Sequence, residues 1–119
     1  MKLEDQVCSL ELAKKLKKFG VKQESLFYWI KYEGYDAYLQ SSKEPRSSVW
    51  CEGTEVVSAF TVAELGEMYP KSSYAPSYPQ NNGKWAVSWF DDARFEEVTE
   101  ADTRAKMLIY LLENRLVSI

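Results

Sequence analysis

The chain has 119 residues, a formal net charge of −3 at pH 7 and an apolar content of 45%. This length fits one domain with its own core, so we predict a single domain over residues 1–119. The negative charge argues against a dedicated nucleic-acid binder, which usually carries a basic field. No apolar run reaches membrane-spanning length, and the acidic N-terminus is unlike a signal peptide. We therefore expect a cytoplasmic protein with no membrane association.

The first predicted element is a helix over residues 9–19. Ser9 is a favourable N-cap, and apolar side chains recur along one stripe of the helix. Gly20 fits the left-handed position that ends many helices, and Val21 can then pack back on Leu16. The remaining surface carries four lysines, for which we expect a solvated face: Lys14, Lys15, Lys17 and Lys18.

A strand is predicted over residues 25–32, which are dense in aromatic and β-branched side chains. Glu33-Gly34 supplies a turn, and residues 35–40 return as the second strand of a hairpin. Residues 41–48 are predicted to be a polar loop. The short apolar pieces at 49–51 and 54–58, around Gly53, predict another strand. In the first strand one face would carry Leu26, Tyr28, Ile30 and Tyr32, and the other Phe27, Trp29 and Lys31.

Two helix starts are the clearest local signals in the chain. Thr61 and Glu64 have the spacing of a capping box, and Phe60 and Leu65 that of a hydrophobic staple. This helix is short because Pro70 prevents it from continuing. The last helix is predicted over residues 100–114, capped by Thr99 with Asp102 at its third position. Its core stripe would be Ala101, Ala105, Leu108, Ile109 and Leu112.

Between these helices, residues 71–83 are predicted to be a long irregular loop because they are rich in proline, serine and asparagine. Residues 85–90 then form a strand with Trp85, Val87 and Trp89 on one face. The apolar tail at residues 116–119 needs covering by a sheet edge or another subunit. The element order predicts an α+β fold, a small antiparallel sheet with three helices packed against it.

The catalytic inventory is sparse. The chain contains no histidine and only two cysteines, Cys8 and Cys51, which we expect to be free thiols. A hydrolase triad, a zinc site and a dinucleotide-binding motif all lack their minimum residues. Adjacent Asp91 and Asp92 are a weak cation-binding signal. We therefore predict a protein that is not an enzyme and uses no cofactor or metal.

A DNA-binding alternative comes from residues 9–32. A Leu-Ala pair at Leu12 and Ala13, a Gly-Val turn at Gly20 and Val21, and a final Trp29 resemble a helix-turn-helix or MerR-type segment. The seven-residue separation of Ala13 and Gly20 departs from the shorter family spacing. The resemblance implies that the segment from Gln23 onward is a recognition helix in the major groove of DNA.

A second resemblance covers most of the chain. The sequence CSLELAKKL with VKQESLFYW, then TVAELGEM, then ADTRAKMLIYLLEN, is similar to small uncharacterised proteins of phages and prophages. These blocks lie at residues 8–29, 61–68 and 101–114. The resemblance implies a bacterial intracellular setting and a mobile-element origin, and it brings no activity or catalytic residue.

The leading functional prediction is binding of a protein partner or self-association, as in a homodimer. A nucleic-acid partner through residues 9–32 is the first alternative, and binding of a small molecule or nucleotide by the loop at 71–83 is the second. The predicted binding surface consists of aromatic and terminal apolar residues: Trp29, Tyr74, Tyr78, Trp85, Trp89, Leu116 and Ile119.

Overall fold

The structure is a computed structural model that describes residues 2–41, 54–70, 77–90 and 93–117. The helices in these ranges are α1 (Leu10–Lys18), α2 (Val62–Glu67) and α3 (Glu100–Glu113), with one 3₁₀ turn at Leu3–Asp5. The strands are β1 (Phe27–Lys31), β2 (Tyr38–Gln40), β3 (Glu55–Ala59), β4 (Ser77–Pro79), β5 (Trp85–Trp89) and β6 (Ala93–Glu97). Residues 42–53, which include part of a predicted strand, and Asp91-Asp92 lie outside the described ranges.

The predicted α+β class is confirmed, and the strands form two antiparallel sheets instead of one. The first has the order β2-β1-β3 and the second β4-β5-β6. In the first sheet Trp29 lies opposite Leu39 on one side and Val57 on the other. In the second, Val87 lies opposite Ser77 and Phe95. All four strand pairs are antiparallel; three join strands that are consecutive in the chain, whereas β3 pairs with β1 and not with β2.

Helix α1 has both predicted ends. The Ser9 hydroxyl accepts the N–H of Leu12 at 3.4 Å. At the other end Gly20 has a φ of +88°, and the N–H of Val21 donates to the carbonyl of Leu16 at 3.2 Å. This is the Schellman arrangement, in which glycine takes the left-handed position without a Cβ clash.

The predicted hairpin at residues 25–40 is confirmed as β1 paired with β2. Tyr28 and Ile30 are buried on one face of β1, while Trp29 on the other face packs against the main core. Leu26 does not share the buried face, since it precedes the strand and is exposed. Both faces of the central strand are therefore covered, which accounts for its aromatic density.

Helix α2 begins with the predicted capping box, in which Thr61 and Glu64 bond reciprocally. Phe60 and Leu65 are both fully buried in the same cluster, as a hydrophobic staple requires. The helix ends at Glu67, before Pro70. The local sequence here determines the local structure because every capping group lies within one turn.

The prediction of an irregular loop at residues 71–83 is wrong for Ser77–Pro79, which forms β4. This strand pairs with β5, so that Tyr78 lies opposite Ala86. The hairpin closes through Gln80, whose N–H donates to the carbonyl of Lys84 at 2.8 Å, and Gly83 has a φ of +81°. Pro79 is tolerated because β4 is an edge strand, where one row of N–H groups has no ladder partner.

Helix α3 forms the centre of the core, with contacts to α1, α2 and all three strands of the second sheet. The predicted stripe is buried, although Leu112 is only partly so. Thr103, Met107 and Leu111 are buried as well. The helix is covered on more than one side, which widens its buried surface beyond a single stripe.

The end of α3 reverses the chain. Arg115 has a φ of +56°, and the N–H of Leu116 donates to the carbonyl of Leu111 at 2.8 Å. Val117 packs against the core, whereas Leu116 is 45% exposed. The apolar tail, which was predicted to need cover, is thus partly covered within the chain through Val117. Ser118 and Ile119 lie outside the described residues.

Of the helices described, none combines the length and apolarity needed to span a membrane.

Candidate binding groove

A groove of about 380 Å³ lies where the starts of α2 and α3 meet the 3₁₀ turn. Trp85 of β5 contributes an aromatic wall. We call this site the Trp85 groove, and define it by its lining residues: Asp5, Gln6, Thr61, Val62, Ala63, Trp85, Val98, Thr99 and Glu100. Of these nine residues, four are apolar, two are acidic and none is basic.

Local structure brings the groove residues together. Val7 forms a bridge with Thr61, and the N–H of Cys8 donates to the carbonyl of Phe60 at 3.0 Å. These bonds hold the N-terminal segment beside the start of α2. Thr99 begins α3 by accepting the N–H of Asp102 at 3.1 Å. Each wall of the groove is therefore fixed by hydrogen bonds of the backbone.

Arg104 ties the acidic wall to α2 and β4. Its Nε donates to the hydroxyl of Ser77 at 2.9 Å, and its Nη1 to the carbonyl of Val62 at 3.4 Å. Glu100 accepts a hydrogen bond from Ser77 and lies 3.8 Å from the Arg104 guanidinium. A Cβ on Gly66 would overlap that guanidinium, so a larger residue there would have to displace the Arg104 side chain. Glu100 is therefore partly neutralised, and the groove is not a simple anionic site.

Asp5 supplies the other carboxylate of the groove. It is exposed, and no described cation forms an ion pair with it. The hydroxyl oxygens of Thr61 and Thr99 already accept helix N–H groups. Asp5 and the side-chain amide of Gln6 are consequently the polar groups best placed to meet a ligand.

Buried ionisable groups near the groove are structural. Burial raises the pKa of the Cys8 thiol to about 12, so the reactive thiolate is suppressed at neutral pH. Cys8 is a free, buried thiol as predicted, and Cys51 lies outside the described residues. Burial also raises the pKa of Tyr69, whose hydroxyl donates to the carbonyl of Arg104 at 2.9 Å. Neither side chain offers a nucleophile or a general base.

The predicted binding surface does not form one patch. Trp29 donates its ring N–H to the carbonyl of Cys8 at 2.9 Å, and Trp89 is 6% exposed in the core. Trp85 lines the groove, while Tyr78 is 42% exposed on β4. Leu116 is exposed at the end of α3. Tyr74 and Ile119 lie outside the described residues, so their placement is not stated.

Sequence reasoning missed the residues that surround Trp85 in the groove. Val98 is 71% exposed, and nothing in its own neighbourhood distinguishes it from an ordinary surface valine. The available signal was the pair of strong N-caps at Thr61 and Thr99. That signal indicates where two helices begin and carries no information on whether the two starts are adjacent.

The segment at residues 9–32 is not a helix-turn-helix. The part after Gly20 that would form the recognition helix contains the strand β1. Lys14 pairs with Glu55 at 3.1 Å, and Lys17 donates to the carbonyl of Val56 at 3.3 Å. All four α1 lysines are exposed, as expected for a solvated face, and two of them also contact β3.

No group of three or more potential metal ligands occurs in the described ranges. Comparison with known proteins found no family model, no curated protein and no solved structure that matches the chain.

Proposed function

We propose that this protein acts by binding a protein partner, and that the Trp85 groove receives an apolar side chain of that partner. One observation carries the proposal: an open groove of about 380 Å³ with Trp85 and the exposed Val98 in its lining. This volume lies in the lower part of the range of pockets that bind small ligands, roughly 300–1,000 Å³. Exposed apolar surface beside a few polar groups is typical of recognition sites.

The lining favours an apolar group next to a hydrogen-bond donor. Val62, Ala63 and Val98 would contact the apolar part, while the carboxylate of Asp5 accepts hydrogen bonds. The partner segment would therefore carry a leucine-like or aromatic side chain beside a backbone N–H or a cation. The buried thiol and tyrosine near the groove have raised pKa values, so they do not favour a catalytic role.

The first prediction tests this site with N-acetyl-leucine amide as the probe. In ¹H–¹⁵N NMR titrations the probe should shift the signals of Trp85, Ala63 and Val98 more strongly than N-acetyl-aspartate amide does. Val98→Asp should weaken leucine amide binding at least about fivefold, since it places a charge in the apolar lining.

Tyr35→Asp is the matched control, because Tyr35 is 71% exposed, as Val98 is, and does not line the groove. It should leave the titration unchanged. Equal shifts for both probes, or unaltered binding by Val98→Asp, would count against the groove as an apolar side-chain site.

The non-enzymatic role, the phage-type origin and the cytoplasmic location remain predictions. The nucleic-acid alternative loses its main support because β1 replaces the recognition helix. The small-molecule alternative at the loop 71–83 stays a prediction, and the Trp85 groove is a second candidate site for such a ligand. A screen of the groove against short peptides and small molecules would test the protein-partner proposal and the small-molecule alternative together.

A further inference from the structure

The four outer strands of the two sheets differ in how their free edges are protected. Strand β2 has three residues, and so does β4, which also contains Pro79. Short length and proline both discourage pairing with another chain. The edge of β3 is closed by side chains: Gln23 accepts the N–H of Ser58 at 2.8 Å, and Lys17 donates to the carbonyl of Val56 at 3.3 Å. These three edges are poor templates for a further strand.

Strand β6 has none of these protections. It is five residues long, and its sequence Ala-Arg-Phe-Glu-Glu contains neither proline nor lysine. It pairs with β5 on one side and is the outer strand of its sheet. Among the described residues, no side chain forms a hydrogen bond to the backbone of β6. Within the described ranges, the outer N–H and C=O groups of this strand have no side-chain partner, as in an edge that can accept another strand.

The side chains of β6 alternate in a self-complementary way. Arg94 and Glu96 lie on the outer face of the sheet and form an ion pair at 3.0 Å. Phe95 points to the opposite face, where its ring lies 6.0 Å from that of Tyr110. Phe95 is only partly buried and lines an open cleft of about 260 Å³ between α1 and α3.

We propose that β6 pairs with β6 of a second copy of this chain, antiparallel and across a twofold axis at Phe95. The two second sheets then form one continuous six-stranded sheet. This inference rests on different observations from those that define the Trp85 groove, although the groove begins at Val98, directly after β6.

Charge selects the register of this pairing. With Phe95 opposite its own copy, Arg94 of each chain lies opposite Glu96 of the other, and two cross-strand ion pairs form. Moving the axis to Arg94 places two guanidinium groups opposite each other, and moving it to Glu96 places two carboxylates opposite each other. Both shifted registers bring like charges together, which is unfavourable. Moving the axis by one residue slides one strand past the other by two residues. A slide of a single residue does not occur with a twofold axis perpendicular to the sheet, because it would place the outer face of one copy beside the inner face of the other.

The pairing also covers apolar surface. Phe95 and its copy become neighbours on the helix side of the joined sheet, so the partly exposed ring of each is buried. Closed twofold pairing uses the same patch on both chains, and β6 supplies both halves of each ion pair. The occupant of this edge is therefore best matched by a second copy of the chain.

The second prediction is measured by sedimentation velocity on the intact protein at about 50 µM, a concentration at which a standard-size interface should be populated. The wild type should sediment as a dimer. In the Arg94→Glu dimer, the new glutamate of each chain lies opposite Glu96 of the other, so both cross-strand pairs become repulsive. Glu96→Arg makes both pairs repulsive in the same way, with two positive charges in each. Each variant alone should raise the dimer dissociation constant more than tenfold.

Mixing the two variants provides the decisive measurement. In the mixture every cross-strand pair again has opposite charges, so a heterodimer should form from two monomeric samples. The double variant Arg94→Glu/Glu96→Arg should likewise dimerise as the wild type does, and it serves as the test should either single variant be poorly folded. Lys22→Glu is the control, since it reverses one exposed charge away from β6 and should remain dimeric.

A wild-type monomer at this concentration would overturn the proposal. It is also overturned if the wild type dimerises but neither charge reversal weakens the dimer, or if mixing the two variants gives no heterodimer. The sedimentation variants leave the lining residues of the Trp85 groove unchanged, so they test this pairing separately from the titrations with N-acetyl-leucine amide.

Discussion

The starts of α2 and α3 use the same threonine cap in two different ways. At α2, Glu64 completes the box: one carboxylate oxygen accepts the N–H of Thr61 at 3.0 Å, and the other accepts the N–H of Leu26 at 3.1 Å. At α3, Thr99 caps the helix in the same manner, but Asp102 accepts the N–H of Ser9 at 2.7 Å. The acidic residue of the second start thus joins α3 to the start of α1.

Glutamate and aspartate differ by one methylene group, and this difference explains why Glu64 binds the N–H of its own N-cap and Asp102 does not. Glutamate is long enough to reach back to the N-cap N–H, whereas aspartate at the same position is shorter. The Asp102 carboxylate is free to bond a different segment, and α1 supplies an otherwise unpaired N–H at its own N-cap. The local motif therefore predicts a helix start in both cases, while the residue at the third position decides whether the N-cap N–H is bound as well. Both carboxylates also accept one distant backbone N–H, that of Leu26 for Glu64 and that of Ser9 for Asp102.

The largest effect is expected from removing that tertiary contact. Asp102→Ala should lower the free energy of unfolding by roughly 2 kcal/mol, because it leaves the partly buried N–H of Ser9 without its acceptor. Urea unfolding of both proteins measures the difference. Asp102→Asn keeps an oxygen acceptor and should lose less than half as much. Equal losses in the two variants would show that the charge, and not the hydrogen bond, stabilises the junction.

A smaller loss is expected at the local cap. Thr61→Ala removes the hydroxyl that accepts the N–H of Glu64 at 3.3 Å, and should cost about 1 kcal/mol. Thr61→Ser retains the hydroxyl and is the matched control. Chemical denaturation with a shared slope for the three proteins gives the comparison. An unchanged midpoint in Thr61→Ala would mean that Glu64 alone secures this helix start.

Most helices and strands could be predicted because their signals are local. The Schellman end at Gly20, the capping box at Thr61 and the aromatic strand at β1 all depend on neighbouring residues. Strand β6 was missed because alanine, arginine and glutamate have weak strand preferences. Its conformation comes from pairing with β5, for example Phe95 opposite Val87.

The candidate site was harder to predict than the fold. Trp85 was selected as a candidate and lines the groove, but it was grouped with Trp89, which lies in the core, and Trp29, which packs against the core. Tryptophan and tyrosine occur both in cores and at recognition sites, so the residue type alone does not tell which of the two a given ring occupies. Asp5 and Val98 come into the groove only through the meeting of distant segments. Such a meeting is a tertiary event without a local sequence pattern.

The smallest expected effect is a pH dependence confined to the start of α3. Burial raises the pKa of the Asp102 carboxyl, the neighbouring Glu97 adds to this, and the hydrogen bond from Ser9 only partly opposes it. The folded state therefore binds the Asp102 proton more tightly than the unfolded state does. The stabilisation from this proton is fully present below the ordinary carboxyl pKa, and is lost as the pH rises through the folded value.

Other carboxyls also titrate in this range, so the effect has to be measured as a difference between the wild type and Asp102→Asn. The asparagine variant lacks this one titration and retains the others. The stability of the wild type relative to the variant should be greater at about pH 3.5 than at about pH 7. Asp102 is only partly buried, so solvent screening keeps the change small. A difference that instead grew with rising pH would mean that the ionised carboxylate is the form favoured by folding, with the Ser9 N–H outweighing burial.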